Sequence, residues 1–187
     1  MTINAKTLFD PSLEKDNCGF GLIAQRNGKR SRKLVKKSIL GLTSMTHRGA
    51  IGADGKTGDG CGLLFDLNHS FFKLKVVGEL DVELPDFFAV AQLFHKNDID
   101  FYYSSIRKFL NSQDLDIAVT RSVPVNNEVL GKIARQNLPN ISQVFITSKN
   151  TNLNKERFEA CLLQARKFIE EKFDNDEEFY VCSMSTQ

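Results

Sequence analysis

The chain has 187 residues, of which 41% are hydrophobic and 26% charged, with a formal net charge of +2. These proportions are those of a globular protein with a substantial core, not of a disordered tail or a fibre, and the charge balance argues against a domain devoted to nucleic acid. No apolar run approaches the roughly 20 residues that a membrane helix needs, and residues 1–17 lack the apolar core of a secretion signal, so a cytoplasmic protein without membrane contact is expected.

Residues 1–17 are polar and mixed and are expected to form a leader before the first core element. Asp16-Asn17-Cys18-Gly19-Phe20-Gly21 then runs into Leu22-Ile23-Ala24, which predicts a short buried strand from Cys18 to Arg26. A cysteine at the mouth of such a strand, flanked by glycines that admit a ligand or other backbone, is a candidate nucleophile. Arg26-Asn27-Gly28-Lys29 supplies an Asn-Gly hairpin signal. Ser31 is placed as an N-cap, with Val35, Ile39 and Leu42 on one helical face, basic residues on the other, and an end near His47-Arg48-Gly49.

Gly49 to Gly60 carries five glycines in twelve residues and reads as a loop rich in backbone donors, a site candidate by composition. Cys61 to Leu67 is predicted as a strand. Further on, the expected elements are a helix over 70–75, a strand over 87–94, a helix over 98–110, a strand headed by Ile117 and ended by Pro124, and a short helix over 127–136. A strand over 141–147 follows, and then the longest helix, opened by Asn154 and carrying Phe158, Cys161, Leu162, Ala165, Phe168 and Ile169 along one side. The last strand spans 179–184, after an acidic turn at Asp174 to Glu178.

Several features have plainer readings. Gly55-Lys56-Thr57 suggests a phosphate loop, but Ala50 stands where that motif needs glycine, and a helix enters where a strand should. Seven of the twelve residues from Arg26 to Lys37 are basic, yet no aromatics interleave for base stacking, so a solvated helix face is the simpler account. His47, His69 and His95 are too dispersed to suggest a metal, and the four cysteines form no C-x-x-C pair, so neither a zinc site nor an iron–sulfur cluster is suggested by spacing. Cys61 and Cys182 are expected to be core thiols within apolar strands.

On these residues the chain resembles the N-terminal end of the glutamate synthase large subunit, a class II, N-terminal-nucleophile glutamine amidotransferase. The resemblance is carried by Ser12 to Ala24, by His47-Arg48-Gly49-Ala50 with Ala53 to Leu64, and by Phe179-Tyr180-Val181-Cys182-Ser183. It implies an α+β fold, a four-layer α/β/β/α sandwich incomplete within this chain, with a leader over 1–17 and the amidotransferase portion over 18–187. It implies Cys18 as the catalytic nucleophile, exposed by a cut after Asn17, with Gly19, Arg48, Gly49 and Asp59 supporting the substrate site.

The implied reaction is glutamine hydrolysis to glutamate and ammonia through a Cys18 thioester, serving glutamate biosynthesis and ammonia assimilation. An N-terminal cysteine offers its own α-amino group as base, so no catalytic histidine is needed. The implied partners are L-glutamine, the remaining domains of the large subunit and its small subunit. FMN and an iron–sulfur cluster are implied for the full-length oxidoreductase, with no cofactor in this chain. In the family the oxyanion Asn-Gly pair and the residues gripping the glutamine backbone lie farther along than Gln187, so little or no activity is expected of this chain alone. The competing expectation is a noncatalytic module that binds a partner or nucleic acid through the basic stretch 26–37.

Overall fold

A computed structural model describes residues 19–46, 49–58, 60–150 and 153–187. The chain divides into two compact units, Met1–Leu64 with Leu130–Ala134, and Phe65–Val129 with Arg135–Gln187.

The second unit is built on one four-stranded antiparallel sheet. Its strands are β1 (Ala89–His95), β2 (Leu115–Ser122), β3 (Asn140–Ser148) and β4 (Phe179–Ser185), in the order β2-β3-β1-β4. In the first unit, α1 spans Arg32–Ser44; in the second, α2 spans His69–Leu80, α3 Ile99–Asn111 and α5 Lys155–Lys172, while the short α4 covers Lys132–Gln136. With α3 linking β1 to β2 and α5 linking β3 to β4, the sheet has the connectivity of a split β-α-β unit.

Strand alternation separates two apolar layers. Ala89, Ala91 and Leu93 of β1, with Val144 and Ile146 of β3, face Tyr102, Ile106 and Leu110 of α3 and Phe158, Leu162, Ala165 and Ile169 of α5. The residues between them, Val90 and Phe145, pack with Phe88 against Val76 of α2. The finding is therefore mixed helix and antiparallel sheet; α2 covers part of the face that a second sheet of a sandwich would use.

The helices start where their caps dictate. Asp98 accepts a hydrogen bond from the Asp100 amide, Asn68 from the Phe71 amide, and Asn154 from the Arg157 amide. Each satisfies an amide that the first turn leaves without a partner. On α5 the expected apolar side is buried, except that Phe168 stays partly exposed and stacks on Phe109. The acidic segment before β4 is a turn, and within it Asp176 accepts the Tyr102 hydroxyl hydrogen bond at 3.1 Å.

Five expectations are corrected. Residues 19–25 form no strand, and Phe20 and Leu22 are 94% and 90% exposed. Residues 61–67 likewise form no strand. A strand exists by pairing, and apart from the isolated bridge Ile51–Gly58 the only ladders among the described residues are those of the four-stranded sheet. Asn27-Gly28 does form a turn, with Gly28 at φ +66° and its amide on the Gln25 carbonyl at 2.9 Å, but no strands flank it.

Cys61 and Cys182 are exposed, whereas Cys161 is buried. The register of β4 against β1 shifts between Gln92 and Leu93, where Ser183 and Val181 are the partners, so Cys182 is the extra residue of a bulge. Finally, Ser31 caps α1 as expected, its side chain accepting from the Leu34 amide at 3.2 Å, yet no α1 residue is buried.

Leu162→Ala removes a side chain packed between α5 and the sheet and should cost about 2–5 kcal/mol in urea unfolding. The adjacent Leu163→Ala, at an exposed position, should stay within about 0.5 kcal/mol of the parent.

Candidate active site

Cys18, Arg48 and Asp59 lie outside the described residues. Gly19 is exposed and in no regular element. Gly49 follows α1 but does not close it: the helix ends at Ser44, and the Met45 amide bonds back to the Leu42 carbonyl at 3.1 Å. The Gly49 amide reaches the Thr46 carbonyl at 3.4 Å, and its φ is not positive.

The glycine-rich loop folds back on itself between Gly49 and Gly58. Gly55, at φ +68°, lets the chain reverse, and its amide bonds to the Gly52 carbonyl at 2.9 Å. The Gly52 amide then bonds to the Thr57 carbonyl at 2.7 Å, and Ile51 bridges Gly58, closing the base of the turn.

Asp54 sits at the centre. Its Oδ1 accepts from the Lys56 amide at 3.1 Å and the Thr57 amide at 2.8 Å. Its Oδ2 accepts from the Thr57 hydroxyl at 2.6 Å and from the Ile133 amide at 3.0 Å. The Thr57 hydroxyl in turn accepts from the Ala134 amide at 3.1 Å. Two side chains of the loop thus satisfy two amides in the first turn of α4, which local sequence leaves open.

The fit is close enough to require glycine at 131. A Cβ there would stand 2.8 Å from the Thr57 amide nitrogen and nearer still to the Asp54 and Thr57 side-chain oxygens. Gly131 is buried. With four donors directed at it, the Asp54 carboxyl is held well below the usual carboxylate range, chiefly by the Thr57 hydroxyl, then by the amides of Thr57, Ile133 and Lys56.

Asp54, Thr57 and Gly131 are the residues that sequence reading missed. Asp-x-x-Thr is a local turn signal, but nothing local ties it to Ile133, 79 residues on. Of the histidines, His69 contacts the Phe88 carbonyl at 3.2 Å, and His95 is buried between the Ser142 hydroxyl at 2.9 Å and the Asn97 carbonyl at 2.6 Å. Among the described residues no group of three or more His, Cys, Asp or Glu is disposed to hold a metal, and no helix is long and apolar enough to cross a membrane.

The family model for class-II glutamine amidotransferases matches residues 18–187. The chain belongs to that family. Among curated relatives, this amidotransferase chain is 36% identical to the ferredoxin-dependent glutamate synthase of Pyropia yezoensis, over 97% of this chain and 12% of that protein. It is 35% identical to the glutamate synthase [NADPH] large chain of Azospirillum brasilense, over 96% of this chain and 12% of that protein. Against the glutamate synthase [NADH] of Saccharomyces cerevisiae the identity is 32%, over 95% of this chain and 9% of that protein. The chain thus spans about a tenth of the length of these relatives. The alternative of a noncatalytic module working through residues 26–37 is not favoured.

Because its folded pKa is depressed, Asp54 contributes stability that is complete above its usual value of 3.8 and is lost as pH falls toward the lower folded value. The amide resonances of Thr57 and Ile133 should therefore move together in acid, and Asp54→Asn should abolish that transition. Gly131→Ala should destabilise the first unit by about 1–3 kcal/mol through overpacking, read as lost hydrogen-exchange protection at those two amides.

Proposed function

We propose that this amidotransferase chain is the glutaminase portion of a glutamate synthase, with Cys18 as nucleophile. The observation that carries the reading is the start of the family match: it begins at residue 18, so Cys18 is the first residue of the matched segment. That is where a nucleophile released as a new N-terminus has to stand. The leader over 1–17 is accordingly proposed to be removed by cleavage between Asn17 and Cys18.

In the proposed reaction the freed α-amino group of Cys18 takes the thiol proton, its ordinary pKa of about 7.7–8.0 being suited to this at neutral pH. The thiolate attacks the side-chain amide carbon of L-glutamine, and the tetrahedral oxyanion collapses with cleavage of the C–N bond. The ammonium group of Cys18 returns the proton to the leaving nitrogen, which departs as ammonia. Water then attacks the thioester, with the same amine as base, and glutamate leaves as the Cys18 thiol is restored.

Gly19, Arg48, Gly49 and Asp59 are assigned to the substrate site, with Arg48 orienting and electrostatically supporting the Cys18 end. The family's four-layer sandwich goes with this reading, and the packing of α3 and α5 on one face of the sheet supports it as one helix layer on one sheet layer. FMN and the iron–sulfur cluster are assigned to other parts of such a protein. A cytoplasmic location, and association with the remaining large-subunit domains and a small subunit, complete the proposal.

A diazoketone analogue of glutamine should alkylate Cys18, located by peptide mass spectrometry, and Cys18→Ala should remove the label. Absence of labelling, even in a chain extended past Gln187, would contradict the assignment. N-terminal sequencing of active protein should begin at Cys18; an active protein that keeps Met1–Asn17 would refute the amine as base.

A further inference from the structure

We infer that Asp54 is a positioning residue of the amidotransferase site, acting with Thr57 to fix the glycine-rich loop whose two ends run into Arg48 and Asp59. The inference rests on the amidotransferase reading above.

A stretch with five glycines in twelve residues loses an unusual amount of backbone entropy when it is fixed, so something other than its own propensity must hold it. An aspartate that served only its own turn would need no more than the Lys56 and Thr57 amides, which Oδ1 already takes. Oδ2 has a different use. It receives the Thr57 hydroxyl and the Ile133 amide, and the same hydroxyl receives the Ala134 amide. The carboxylate therefore locks the turn and a segment 79 residues away into one hydrogen-bonded body.

Closeness is enforced by the buried Gly131, which leaves no room for a side chain between the two. At the base of the loop, the Ile51–Gly58 bridge and the Gly52–Thr57 bond bring entry and exit strands together. Asp59 follows Gly58 directly, and Arg48 precedes Ile51 by three residues. Holding the turn therefore fixes the described backbone from Gly49 to Gly58, which Arg48 and Asp59 adjoin in the sequence, and an error of about 1 Å in a reacting constellation can cost on the order of 100-fold in rate.

The test is the rate at which the diazoketone analogue labels Cys18 in a chain extended past Gln187, measured across analogue concentrations so that kinact and KI separate. Asp54→Ala and Thr57→Val should each lower kinact about tenfold or more with KI little changed, and Thr57→Ser should restore it. Leu162→Ala, which destabilises the sheet unit, and the surface variant Asp86→Asn should leave kinact of the folded fraction at the parent value.

Asp54→Ala labelled at the parent rate would overturn the inference, as would Thr57→Ser behaving like Thr57→Val. If Asp54→Ala does not fold, the Thr57 pair decides the matter. A parent chain with no label at Cys18 would overturn the amidotransferase reading and this inference with it, whereas a normally labelled parent with unaffected variants overturns the inference alone.

Discussion

The second unit depends on one apolar layer, the face of the four-stranded sheet against α3 and α5. Without it the order β2-β3-β1-β4 would have no basis, because two of its three pairings, β3 with β1 and β1 with β4, join strands that are not consecutive in the chain. β1 meets β3 and β4 only after long loops have closed, and the entropy of closing them is offset by burying Leu93, Tyr102, Ile106, Phe158, Leu162 and Ile169 in one contiguous core. The stacked pair Tyr102 and Phe179, with ring centroids 4.4 Å apart, joins α3 to the first residue of β4. The Tyr102 hydroxyl, at the edge of this layer, finds Asp176.

The first unit is held differently. Its helix α1 buries no residue, and its loop is short of apolar side chains, so hydrogen bonds carry the organisation there. Asp54 gathers four donors and Thr57 passes the connection on to Ala134. Such a network is stringent, because removing the one carboxylate leaves several amides and a hydroxyl without their acceptor.

What the sequence made legible was local. The helix-start signals at Ser31 and Asn154 and the apolar stripe of α5 are written within a few positions of one another, and the helices start where those signals stand. The strands β1, β3 and β4 were likewise visible as short apolar runs. Pairing was not visible. Residues 19–25 and 61–67 have strand-like composition, but a strand needs a partner, and among the described residues they have none. Cys182 looked like a core thiol because its strand is apolar, whereas it follows the inward-facing Val181 and is exposed, as the extra residue of a bulge. For the site, the Cys18 and His-Arg-Gly blocks pointed to the family, which the match over 18–187 bears out. The clamp of Asp54 on Ile133 was illegible, since no spacing rule links residues so far apart in the chain.

The central claim is covalent catalysis at Cys18, and the thioester itself is its most direct witness. A chain beginning at Cys18 and extended past Gln187 would be mixed with L-glutamine, quenched in acid within the first turnover, and read by intact and peptide mass. The account predicts one glutamyl group per chain, on Cys18, with one ammonia released for each. Ammonia released without that adduct, a glutamyl group on Cys61 or Cys182 instead, or neither product would contradict it.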